Sequence, residues 1–194
     1  MSVAAVFLDR DGVLIEERLS VDADIRSAVR ALPGVAAALA TLAAAGFLRI
    51  VVTNQPIVAR GLASEDDVVA IHHALERVLM QAGAPPMTSW RFCPHHPHAN
   101  VAAYRKDCRC RKPRPGMLED TAAAYNIDPM RSFLVGDRMT DIEAGARFGC
   151  RTVLIDGPAR CAPRIETPAL PLDVVADAVV PDLEAAAAFI VASR

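Results

Sequence analysis

Apolar runs of two kinds alternate along this chain, and that alternation narrows the choice of fold further than any other feature. Short β-branched stretches that stop at polar residues predict strands at 5–9 (AVFLD), 48–53 (LRIVVT), 89–93 (SWRFC), 132–137 (SFLVGD) and 152–156 (TVLID), with a less apolar sixth at 177–182. Longer Ala- and Leu-rich stretches with helical spacing predict helices at 34–45, 65–82, 116–125, 139–148 and 182–192. Ser64 before an acidic first turn has the form of an N-cap, and Gly46, Gly83 and Gly149 stand where helices should stop. Strands apolar on both faces, with helices between them, pack as a parallel sheet covered on both sides, an α/β doubly wound, Rossmann-like architecture.

Ligands of such sheets gather beyond the carboxyl ends of the strands. Three predicted strands end there in polar groups: Asp9-Arg10-Asp11-Gly12, Thr53-Asn54-Gln55 and Gly136-Asp137. If these strands are neighbours, the three groups share one crevice.

The chain has 194 residues, 53% of them hydrophobic, enough for one full core, so residues 1–194 are expected to form a single domain. A net charge of −2 provides no global field for nucleic acid or an anionic membrane, and neither is expected as a partner. No secretory signal is evident at the start, and the longest Ala-rich stretch, 34–47, is shorter than the roughly 20 residues that span a bilayer. A cytoplasmic monomer is the expectation. The five cysteines are odd in number and three cluster, which fits reduced thiols and a metal better than a disulfide framework. The Pro-rich stretch 157–173 reads as a surface loop, and Cys150 as a small core residue; Cys161 has no assigned task.

Asp9 and Asp11, one residue apart at a strand end, repel each other unless something positive lies between them. A divalent cation with a phosphate suits the pair, because Mg²⁺ takes oxygen ligands and usually keeps substrate phosphate among them. One carboxylate can then attack phosphorus while the other handles the leaving-group proton. In isolation Asp-x-Asp-Gly is equally a turn or a calcium-loop fragment. The Thr53 hydroxyl and the Asn54 amide and backbone N–H suit phosphate oxygens, and Lys112 could neutralise the phosphoryl group.

In this order the segments FLDRDG, VVTNQ, CRCRKPRPGM and FLVGDRMTDIEAG resemble the four sequence motifs of the haloacid dehalogenase (HAD) superfamily. Their wording is similar to the capless subgroup that contains heptose-bisphosphate and histidinol-phosphate phosphatases. The resemblance implies a HAD phosphatase in which Asp9 is the nucleophile that forms an aspartyl-phosphate and Asp11 is general acid and then base. It further implies that Thr53 and Lys112 hold the phosphoryl group, and that Mg²⁺ is bound by the Asp9 carboxylate, the Asp11 backbone carbonyl and Asp137. Asn54 and Gln55 are expected beside the substrate. Asp141 is expected to support the site, bonding a metal-bound water or Lys112, or else to lie on a helix surface.

Cys93-x-His95, twelve residues, then Cys108-x-Cys110 offers three thiolates and an imidazole, the donor set of a closed, structural Zn²⁺ site in a loop spanning 93–110. The same subgroup resemblance implies these four ligand positions; His96 and His98 remain alternatives to His95. Zinc here would fix the loop that precedes Arg111 and Lys112.

The 43 residues between Asp9 and Thr53 and the 58 between Thr53 and Lys112 leave no room for a folded cap domain. Specificity should then rest on loops such as 16–31 and on Arg111, whose guanidinium can grip a second phosphate. A small phosphorylated sugar is the expected partner: the 7-phosphate of a heptose 1,7-bisphosphate is favoured, with histidinol phosphate or another phosphometabolite as the alternative. One departure bears on this. The subgroup resembles TNQSGIARG after the second motif, whereas here Pro56 removes a backbone donor and Ile57 replaces a permissive glycine. A non-catalytic zinc module that has kept the fold is a competing reading from a different class.

Overall fold

The computed structural model describes residues 2–16, 29–157 and 174–194. Most of the 16–31 loop, nearly all of the 157–173 loop and Cys161 lie outside these. Strands β1 (Ala5–Leu8), β2 (Leu48–Asn54), β3 (Ser89–Cys93), β4 (Phe133–Gly136), β5 (Arg151–Ile155) and β6 (Ala178–Val180) form one sheet in the order β3-β2-β1-β4-β5-β6. Every pairing is parallel, with Ala5 opposite Leu48 on one side of β1 and Val6 opposite Phe133 on the other. The doubly wound expectation holds, and all six predicted strands are present with no end shifted by more than two residues.

Alternation along each strand divides the core in two. Val6, Leu8, Val51, Val135 and Val153 face helices α1 (Val35–Ala44), α3 (Glu65–Gln81) and α6 (Leu183–Ala192). Ala5, Phe7, Ile50, Val52 and Leu134 pack on the other side, against α4 (Gly116–Tyr125) and α5 (Met139–Phe148). A sheet buried on both faces requires strands apolar at every position, which is why β1 and β4 carry no polar residue. Ser64 caps α3 as expected: its hydroxyl accepts from Asp67 N at 3.1 Å, while the Asp67 carboxylate accepts from Ser64 N at 3.0 Å.

Three short helical pieces were not expected: two 3₁₀ turns, Ala102–Tyr104 and Pro129–Arg131, and one near the crevice. Residues Pro56–Ala59 form a single helical turn, α2, with Pro56 at its start. Proline at that position sacrifices no intrahelical bond, and Ile57 is not in the left-handed region, so neither departure strains the backbone. Among the described residues no segment forms a second sheet above the strand ends, and no helix is long and apolar enough to cross a membrane.

Candidate active site

β1 lies between β2 and β4, so the three polar strand ends are neighbours. The chain reverses direction of sheet growth on either side of β1, and the crevice beyond its carboxyl end is the topological switch point of the fold. Asp9 follows β1 directly, and its N–H donates to Val135 O at 2.9 Å, which ties it to β4.

Two donors reach the same Asp9 oxygen, Oδ1: Arg10 N at 2.7 Å and Lys112 Nζ at 3.1 Å. Lys112 also lies 2.6 Å from Asp141 Oδ1 and donates to Val52 O at 2.7 Å. Only the contact with Val52 O is a hydrogen bond; the two carboxylates flank the ammonium as ion partners. Burial works to lower the Lys112 pKa, but the charges of Asp141 and Asp9 outweigh it and hold the pKa raised. The lysine is therefore a fixed cation. For Asp141, burial pushes the pKa up to about 6; Lys112 opposes the rise and the Asp9 charge adds to it. Of the alternatives open for Asp141, the structure places it on Lys112, and its other oxygen accepts from Arg138 N at 3.1 Å to cap α5.

Asp137, buried at the end of β4, completes a group of carboxylates. One oxygen each from Asp9, Asp137 and Asp141 lies within 4.8 Å of the others. Oxygens around one Mg²⁺ lie about 3–4 Å apart, given its 2.0–2.1 Å bonds, so small rotations would bring this set onto the ion. Asp9 and Asp137, at the ends of neighbouring strands, are the two carboxylates that the resemblance assigns to the ion. Glycine is required at two adjoining points. A Cβ on Gly12, at φ 77°, would come 2.4 Å from Asp137 Oδ2, and one on Gly136 would come 2.3 Å from Asp141 Cβ.

Asp11 is only partly buried and is held from two sides. Arg10 Nη2 donates to both of its oxygens at 2.9 and 2.8 Å, and Gln55 Nε2 donates to Oδ2 at 2.7 Å. Gln55 Nε2 also donates to Thr53 Oγ1 at 2.9 Å. Asn54 exchanges two bonds with the backbone of Lys112, donating to its carbonyl at 3.0 Å and accepting from its N–H at 3.1 Å. The side-chain amides of Asn54 and Gln55, expected beside the substrate, are thus used within the protein to place Lys112 and Asp11. Arg10 was legible only as the residue between two aspartates; nothing in the sequence marks its side chain as their partner.

Cys93, His95, Cys108 and Cys110 converge as expected. Their Sγ atoms lie 3.1–3.4 Å apart, and His95 Nδ1 lies 3.7 Å from Cys93 Sγ and 3.5 Å from Cys110 Sγ. A tetrahedral zinc with Zn–S bonds of about 2.3 Å would set sulfurs roughly 3.8 Å apart, so the cluster has the shape of the site and needs only slight expansion. His96 stands apart, its Nδ1 accepting from His98 N at 3.1 Å. Hydrogen bonding between Cys110 and Cys93 lowers the Cys110 pKa to about 5 despite its burial. The cluster is linked to the crevice twice: Gln55 N donates to Cys93 O at 2.8 Å, and Arg111 Nη1 donates to His95 O at 3.2 Å.

Comparison with known proteins agrees with this geometry. A HAD-hydrolase-like family model matches residues 109–186. The D-glycero-beta-D-manno-heptose-1,7-bisphosphate 7-phosphatase of Rhodopseudomonas palustris is 45% identical over 145 residues, 75% of this chain and 79% of that protein. The D-glycero-alpha-D-manno-heptose-1,7-bisphosphate 7-phosphatase of Burkholderia mallei is 37% identical over 164 residues, 80% of each chain. The crystal structure of D,D-heptose 1,7-bisphosphate phosphatase from B. bronchiseptica, complexed with magnesium and phosphate, superposes with a TM-score of 0.79 at 32% identity and covers 98% of this chain and 99% of that one. With its fold, its ordered strand-end groups and these relatives in agreement, the chain belongs to the heptose-1,7-bisphosphate 7-phosphatase family of HAD-like hydrolases.

Proposed function

We propose that the protein is a Mg²⁺-dependent phosphatase that removes the 7-phosphate of D-glycero-D-manno-heptose 1,7-bisphosphate by way of a phosphoryl group carried on Asp9. The observation that carries this reading is the buried ammonium of Lys112, 3.1 Å from the Asp9 carboxylate at the switch point of the sheet. Because Oδ1 of Asp9 receives Lys112 and the Arg10 N–H, Oδ2 is the oxygen that attacks phosphorus. The bond from phosphorus to O7 breaks as Asp11 passes its proton to O7. Water then attacks the phosphoryl group, Asp11 takes the water's proton, and Asp9 is released as carboxylate. Lys112 acts by charge, and positioned charge of this kind dominates phosphoryl transfer. The Thr53 hydroxyl and the Asn54 backbone N–H meet phosphoryl oxygens, and Arg111 takes the second phosphate of the sugar.

Asp9, the Asp11 carbonyl and Asp137 would hold the magnesium ion, which supplies charge neutralisation to the phosphoryl oxygens when bound. Cys93, His95, Cys108 and Cys110 would hold zinc as a structural ion that fixes the loop before Arg111 and Lys112. In this reading residues 1–194 work as one cytoplasmic domain.

The test is phosphate release by zinc-loaded protein with Mg²⁺, comparing the α and β anomers of the heptose bisphosphate with histidinol phosphate at matched subsaturating concentrations. One heptose anomer should be preferred by at least about tenfold in kcat/KM. Equal, poor rates on all three would move the substrate to a different phosphorylated metabolite.

A further inference from the structure

Arg10 has an unusual setting for an arginine. Only 6% of it is exposed, although the carboxylate it grips, Asp11, faces the crevice. Its Nη2 spans both Asp11 oxygens and its Nε lies 3.3 Å from Oδ1. Its remaining nitrogen, Nη1, is buried without a hydrogen-bond partner among the described residues. Its charge is felt by His72 of α3, which is 3% exposed and stacks on Trp90 at 4.9 Å between ring centroids. A guanidinium enclosed in this way cannot reach out to substrate phosphate. A buried cation is costly unless paired, and Asp11 is the carboxylate it contacts, so the pair is held tightly together.

The same residue acts on both aspartates through different atoms. Its backbone N–H fixes Oδ1 of Asp9, and its side chain fixes the plane of the Asp11 carboxylate. Gln55 adds a third contact on Asp11 Oδ2, which leaves that carboxylate little rotational freedom. Proton transfer to a departing oxygen demands a donor within hydrogen-bond reach and correctly aimed.

We propose that Arg10 is a positioning residue for the proton-transfer step: its enclosed side chain, with Gln55, aims Asp11 at the oxygen that leaves phosphorus. The inference rests on the proposed role of Asp11 as proton donor. In the step concerned, Asp11 enters as the carboxylic acid with a proton taken from solvent and keeps Arg10 on its unprotonated oxygen; the phosphorus–oxygen bond to the sugar breaks, the Asp9–phosphorus bond forms, and that proton goes to the sugar oxygen. Arg10 itself neither gains nor loses a proton.

The test uses leaving groups of different basicity. A sugar alkoxide needs a proton to depart, whereas 4-nitrophenolate does not, and kcat/KM reports the steps up to that departure. Arg10→Gln should lower kcat/KM for heptose 1,7-bisphosphate by about 10–100-fold while changing that for 4-nitrophenyl phosphate by less than about threefold. Arg10→Lys keeps the buried charge but loses the planar fork. It guards against a misfolded Gln variant and should show the same selective loss at smaller size. Asp11→Asn, run in parallel, should reproduce the selectivity more strongly. Equal losses on both substrates in the Arg10 variants, beside a selective loss in Asp11→Asn, would overturn the positioning role and leave the proton donor in place. Equal losses in Asp11→Asn would overturn the donor itself, and the inference with it.

Discussion

Lys112 Nζ and Asp141 Oδ1 lie 2.6 Å apart, in a pair whose side chains are each only 1% exposed. Each half of such a pair is tolerable because of the other. Lys112 keeps Asp9 as a second partner, so Asp141→Ala should lower the unfolding free energy by about 1–3 kcal/mol, less than the loss of a sole partner would cost. Asp141→Ala combined with Lys112→Met removes both charges and should recover part of that stability while remaining inactive. Urea unfolding of the two variants checks this; a double variant less stable than Asp141→Ala would contradict it.

His72 supplies a pH-dependent contribution to stability. Burial, the Arg10 charge and the His73 charge lower its pKa from 6.5 to about 3. Between those values the unfolded chain binds a proton at this residue that the folded chain does not, so stability falls as pH drops from about 6.5 toward 3. His72→Phe keeps a ring beside Trp90 and cannot titrate. Its loss of stability between pH 7 and pH 4 should be smaller than that of the parent by about 3 kcal/mol, measured by urea unfolding at each pH.

Because the Cys93 carbonyl accepts from Gln55 N and the His95 carbonyl from Arg111, the thiolate cluster is mechanically continuous with the crevice. Removing zinc with a chelator in the presence of excess Mg²⁺ should cut kcat/KM by about 10–100-fold, with activity returning on re-addition of zinc. Cys110→Ser should lower bound zinc per chain below one and reproduce the loss. Full activity in the zinc-free protein would contradict the coupling.

Pro56 and Ile57 begin a helical turn, so restoring a glycine there should cost stability. Ile57→Gly is expected to lower the unfolding free energy by about 1 kcal/mol, read as a lower Tm.

The sequence carried the sheet, its flanking helices and the strand-end chemistry because burial on both faces forces continuous apolar strands, and any polar residue at their ends stands out. It could not carry strand order, since β1 pairs with β2 and β4 through contacts more than 40 residues apart in the chain. Hence the adjacency of Asp9, Thr53 and Asp137 was a condition until the structure supplied it. The turn at Pro56–Ala59 was missed because four residues are too few to display a helical period. That the side-chain amides of Asn54 and Gln55 are committed within the protein is not legible, because a free amide and a committed one look alike in sequence; their partners, Lys112 and Asp11, lie 58 and 44 residues away. The choice of His95 over His96 and His98 likewise needed coordinates, since all three are within reach of the loop by spacing alone.

Asp9 is expected to carry the phosphoryl group during turnover. The most direct measurement is mass spectrometry of enzyme acid-quenched during steady-state hydrolysis of heptose 1,7-bisphosphate, digested and mapped by fragmentation. One phosphoryl group is expected on Asp9 in the peptide that contains it, and neither adduct nor phosphate release in Asp9→Asn. A phosphoryl group on a different residue, or phosphate release by Asp9→Asn at the parent rate, would contradict it.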